Sequence, residues 1–146
     1  MTGAALPYVD LVVAEALRAL LPAAVTVETQ QDDRLLDRLP YVFVEADGGT
    51  ELDLRFAVRP TVNVLCWVEG SKRDGALLAG QVLQALWSAH RSQHIYAEAS
   101  IAQIRALSLP YEQRLDNQPA EVYRFVAQYE LIVRPDRSEK EQQQHG

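Results

Sequence analysis

Cysteine is almost missing from this chain: Cys66 is the single one in 146 residues. One thiol excludes an intramolecular disulfide framework and any zinc site built from several thiolates. Long apolar runs are missing too, and no stretch approaches the roughly 20 residues that span a bilayer as a helix. Met1 to Pro7 lacks the basic start and extended apolar core of a secretory leader. These absences predict a soluble protein of a reducing compartment with no membrane partner. Positive charge is also sparse, with 14 Lys and Arg against 20 Asp and Glu, a formal net charge of −6. The longest basic run is Lys72-Arg73. Phosphate binding needs concentrated cations, so no sequence-specific nucleic-acid binding is expected.

Catalytic signatures are equally scarce. Gly75 and Gly80 have the spacing of a phosphate-binding loop, but Gln81-Val82 stands where the gripping lysine and hydroxyl belong. Those glycines read better as points of close helix packing. His90 and His94 lie four apart, which can place two imidazoles on one helix face, yet Glu98 is the only carboxylate nearby. Cys66 falls on the apolar side of a strand and reads as a small buried hydrophobe. Trp67 and Trp87 fit core packing better than interface anchoring. Asp32-Asp33 are neighbours within a loop, with nothing to make them face one another. The expectation is no catalytic residue, no cofactor, no metal and no enzymatic activity.

What is present is patterning. Leu6 to Leu21 is periodic at helical spacing, with Val9, Val13, Ala16, Leu17, Leu20 and Leu21 near one stripe and Asp10, Glu15 and Arg18 turned away. Pro22 stops it. Ala24 to Thr29 reads as a short strand, Gln30 to Arg38 as a polar loop, and Pro40 to Ala46 as a strand ending at the turn signal Asp47-Gly48-Gly49. Ser71 to Asp74 forms a capping box before a helix reaching about Ala89. Ser100 to Leu109 and Glu121 to Arg134 alternate again as strands. The predicted fold class is α+β: a two-layer sandwich of a mainly antiparallel sheet with two helices packed on one face and a long projecting β-hairpin. Residues 1–135 form one domain, with an arm at about 47–60, and 136–146 are a disordered polar tail.

The arm follows from an unbroken rhythm. Every even position from Leu52 to Val68 is apolar or Pro60, and the phase never slips. A slip of one residue would exchange the two faces, so the rhythm predicts one continuous extended segment. At about 3.3 Å per residue it would run roughly 55–60 Å, against roughly 38 Å across a compact domain of this size. Either it breaks at Arg59-Pro60, where proline removes a ladder donor, or a hairpin built from 41–58 projects. Leu52, Leu54, Phe56 and Val58 are then the expected interface positions. Glu28 to Arg55 also concentrates eight acids against three arginines.

The patterns around Leu20-Leu21-Pro22, Leu39-Pro40-Tyr41-Val42-Phe43-Val44, Arg59-Pro60-Thr61-Val62-Asn63-Val64 and Tyr123 to Pro135 resemble the tail terminator (tail completion) proteins of long-tailed bacteriophages and prophages. The resemblance covers about residues 6–135. It implies a homo-oligomeric, typically hexameric ring that caps the tail tube, ends its polymerisation and offers the surface for head attachment. The implied partners are the tail tube protein and a head-completion or connector protein. The implied locations are the host bacterial cytoplasm during assembly and then the virion tail. Asp32, Asp33 and Asp37 would face the lumen and repel passing DNA. The alternatives are another head–tail connector, neck or minor tail protein or, in a different class, a small ligand-binding α+β regulatory module.

Overall fold

The computed structural model describes residues 7–53 and 57–136, and the side chains of 51–53 lie outside that description. The described elements run α1 (Val9–Leu20), β1 (Thr26–Glu28), β2 (Tyr41–Asp53), β3 (Ala57–Glu69), α2 (Lys72–Ser92), β4 (Ala99–Glu112) and β5 (Val122–Pro135). One sheet has the order β1-β2-β3-β5-β4. β1 lies parallel to β2, and every other pairing is antiparallel. No helix among the described residues is long and apolar enough to cross a membrane.

Both helices pack on the same face of this sheet. α1 buries Val12, Val13, Ala16 and Leu17, and α2 buries Leu78, Val82, Leu86 and Ala89. They close over Val42, Val44, Val62, Val64, Cys66, Phe125, Tyr129 and Leu131 in one apolar core. The polar side of α1 is less idle than its periodicity predicts. Asp10 Oδ1 accepts from the Ala46 amide at 3.0 Å, and Glu15 Oε2 accepts from the Ala97 amide at 3.1 Å. Arg18 donates twice to the Val27 carbonyl. These bonds satisfy backbone groups that the bulged or short strand ends leave over. α2 begins on Ser71, whose hydroxyl oxygen accepts from the Asp74 amide at 3.1 Å, as the capping box predicts. It ends at Gln93, in the left-handed conformation.

Two expectations about the hairpin are corrected. Asp47-Gly48-Gly49 is no chain reversal: it is a bulge within β2, with a register shift between Ala46 and Gly49. Gly49 is required there, at φ 112°, because a Cβ would lie 2.2 Å from the Arg59 carbonyl oxygen. The bulge stands opposite Pro60, where the ladder is short of a donor, so proline is carried inside β3 without breaking it.

The rhythm from Leu52 to Val68 is likewise not one strand. Asp53 pairs with Ala57, so the run crosses from β2 to β3. Asp53 and Ala57 share parity, but the irregularity between Glu51 and Asp53 sets Glu51 opposite Val58 and Thr50 opposite Arg59, partners of unlike parity. The even positions therefore do not keep one face around the reversal, and the unbroken rhythm conceals a change of face. β5 accompanies β3 outward as far as Val58, which pairs with Val133. At the other end of the chain, the Asp136 amide donates to the Glu98 carbonyl at 2.8 Å, while the rest of the expected tail lies outside the described residues.

Candidate functional site

The sheet face away from the helices is open, and the register orders it into cross-strand rows. Tyr41, Trp67 and Arg124 form the first row. Phe43, Leu65, Val126 and Tyr111 form the second, apolar row across four strands. Glu45, Asn63, Gln128 and Ser108 form a third, polar row, in which the Gln128 amide donates to Asn63 Oδ1 at 3.1 Å.

One end of this face is covered by the loop before β2. Leu35, on a short 3-10 turn at Leu35–Asp37, is buried with Tyr41, Phe43, Trp67 and Val122. The Tyr41 hydroxyl fastens the loop by donating to the Gln30 carbonyl at 3.0 Å and accepting from the Asp32 amide at 3.1 Å. The stretch read as a polar acidic loop thus carries its own apolar plug. Leu35 was visible in the sequence, but the adjacent pair Leu35-Leu36 between charges follows neither a helical nor a strand period, and nothing marks which of the two is buried. Beside the plug lies an open groove of about 850 Å³, lined among others by Gln30, Phe43, Leu65, Tyr111, Gln113 and Arg124.

Arg124 is the unusual group of this face. Its side chain is nine-tenths buried, and its guanidinium lies over the Trp67 ring at 5.3 Å. Nη1 donates to Gln113 Oε1 at 2.6 Å and to the Gln113 carbonyl at 3.4 Å, both neutral acceptors. Nε is buried without a partner, as is Trp67 Nε1. No carboxylate among the described residues pairs with it, and burial lowers its pKa from the ordinary arginine value.

The expected acidic trio is divided. Asp32 accepts from the Arg34 amide at 2.9 Å and from Arg38 Nη1 at 2.7 Å, which hold its pKa below the usual carboxylate value, the backbone bond most strongly. Arg38 also reaches Glu28 at 2.8 Å, so part of the acidic charge is neutralised locally. Asp33 and Asp37 are exposed. Asp32 and Asp33 line a second cleft, of about 390 Å³, between this loop and Leu115 to Pro119.

Of the expected interface positions, Val58 is half-buried and packs against the main core. Leu52 is a backbone position of β2 whose side chain, with all of Leu54 and Phe56, lies outside the described residues. Larger exposed apolar side chains occur elsewhere, notably Leu107, Leu109 and Tyr111 on the outer strand β4. A strand edge of this kind is a ready surface for another chain.

The histidine pair does not share a helix face, because α2 ends between its members. His90 tilts against Trp87 and His94 against Tyr96. Among the described residues no three His, Cys, Asp or Glu side chains gather as a metal set. Cys66 is buried in the core, where loss of hydration pushes its thiol up to about 12. Close packing explains Gly75, where a Cβ would lie 2.6 Å from the Phe125 ring, but not Gly80, where nothing lies within 4 Å.

The sequence matches no protein-family model and no curated protein. Among solved structures it is similar to a chain in the virion of a native gene transfer agent particle. The two are 15% identical with a TM-score of 0.55, over 81% of this chain and 84% of that one. At that identity the likeness shows a shared fold.

Proposed function

We propose that the chain is a structural component of a phage-like virion, acting by assembly and not by catalysis. In its sharper form, a ring of copies caps the tail tube, ends tube polymerisation and presents a surface to the head. The observation that carries the reading is the shared fold with a chain of a gene transfer agent virion over most of both chains. The distribution of apolar surface supports it. Leu107, Leu109 and Tyr111 stand exposed on an outer strand, and the open face carries an apolar row beside a buried cation. Such features suit contacts with other chains. The long-tailed phage resemblance around residues 6–135 supports placing it at the tail end of the particle.

The test adds the purified chain to polymerising tail-tube subunits and measures tube length by electron microscopy. Arrest of elongation, with the chain found at tube ends, is the expected outcome. Unchanged lengths, with no chain at the ends, would overturn the capping role.

A further inference from the structure

We propose that the open groove around Arg124 receives the acidic end of the β2–β3 hairpin from a second copy of this chain. The inference rests on the oligomeric reading above and names the contact that would build the oligomer.

The groove asks for an anion. Arg124 is held among neutral partners, Gln113 and the Trp67 ring, with Nε left unbonded in a chain of net charge −6. A desolvated guanidinium without a counter-ion is costly, and a carboxylate brought by a partner offsets that cost. Glu45 is the acid in the groove lining, but it stands two strands and two rows from Arg124. Strand spacing and rise put them roughly 16 Å apart, too far for an ion pair. Beside Arg124 the apolar row of Phe43, Leu65, Val126 and Tyr111 asks for apolar side chains in the same ligand.

The end of the hairpin has that chemistry. Glu51-Leu52-Asp53-Leu54 alternates acid with apolar residue, and residues 49–57 carry two acids against the single cation Arg55. It cannot serve its own groove. From Ala57, opposite Asp53, to the Trp67–Arg124 row is ten residues along β3, or roughly 33 Å. Donor and receptor lie toward opposite ends of one sheet, so the contact joins unlike surfaces of successive copies. Repeated about an axis, such a contact closes into a ring where the rotation between copies closes.

The test uses the full chain carrying Trp87→Phe, which leaves Trp67, under the Arg124 guanidinium, as the sole tryptophan. A synthetic peptide of residues 49–57 is titrated against it and the Trp67 fluorescence followed. Saturable change is expected, weakened at least tenfold by Arg124→Gln in the protein. The same loss is expected when Glu51→Gln and Asp53→Asn are placed in the peptide, a change that leaves the folded chain untouched. No saturation at millimolar peptide, or binding indifferent to the peptide's acids, would overturn the proposal. So would an equal response to free glutamate, which would mark a general carboxylate site with no claim on the hairpin. Peptide binding by a chain that fails to arrest tubes would leave this contact standing and remove the tail-capping reading.

Discussion

Tyr129 is the residue whose surroundings fit it least. Its ring fills the core between sheet and helices, yet its hydroxyl is buried without a hydrogen-bond partner among the described residues. An unmade bond costs the desolvation of the group, so Tyr129→Phe is expected to leave stability unchanged or raise it by about 1 kcal/mol, read by urea unfolding. Burial also pushes the Tyr129 phenol and the Cys66 thiol each up to about 12, from ordinary values of 10.0 and 9.0. Between those values the unfolded chain has released protons that the folded chain retains. Stability is therefore present below about pH 9 and lost as pH rises toward 12. The double variant Tyr129→Phe with Cys66→Ala should show a flatter alkaline limb in thermal melts against pH. An unchanged limb would show that other groups govern it.

At the scale of elements, two glycines of one helix separate packing from propensity. Gly75 faces the Phe125 ring so closely that an added methyl must displace it, and Gly75→Ala is expected to destabilise by about 1–3 kcal/mol. Gly80 is exposed on the same helix with open space around it, and Gly80→Ala is expected to stabilise by about 0.5–1 kcal/mol. Denaturation midpoints of the pair should move in opposite directions.

The helices and the inner strand β5 were legible because each has one wet and one dry side. Val9, Val13, Ala16 and Leu17 repeat at helical spacing and are buried, though Leu20 of the same expected stripe is exposed, and Phe125 to Val133 alternate strictly. The hairpin reversal was hidden because the even-position rhythm runs on through it, although the irregularity between Glu51 and Asp53 pairs residues of unlike parity there. Asp47-Gly48-Gly49 was misread because a bulge and a tight turn both demand positive φ and choose the same residues. The groove was illegible for another reason. Arg124 sits on the wet phase of β5, and its burial comes from Trp67 and Gln113, which are brought beside it only by strand pairing and the loop after β4. No local pattern encodes such a meeting.

For the whole molecule, net charge bears on what passes near it. If the ring encloses a channel for DNA, exposed acids on its wall repel the phosphates. Asp33 and Asp37 are the exposed members of the proposed trio, whereas Asp32 is already engaged by Arg38. The clean variant is Asp33→Lys with Asp37→Lys, which should change stability by no more than about 0.5 kcal/mol. Virions carrying it are expected to form tails of normal length yet deliver their genomes poorly, scored as plaques per particle. Wild-type delivery would remove those acids from the channel.

The β2–β3 hairpin ends at one extreme of the sheet and the Arg124 groove lies toward the other, so the proposed contact would give every copy a head and a socket. Two copies joined once still leave one of each unsatisfied, so a pair is never a finished object. A copy spoiled at the socket alone can still seat its head in a sound neighbour and occupy a place it cannot complete. In a cell making both kinds, damage would exceed the spoiled fraction, and such an allele would behave as dominant.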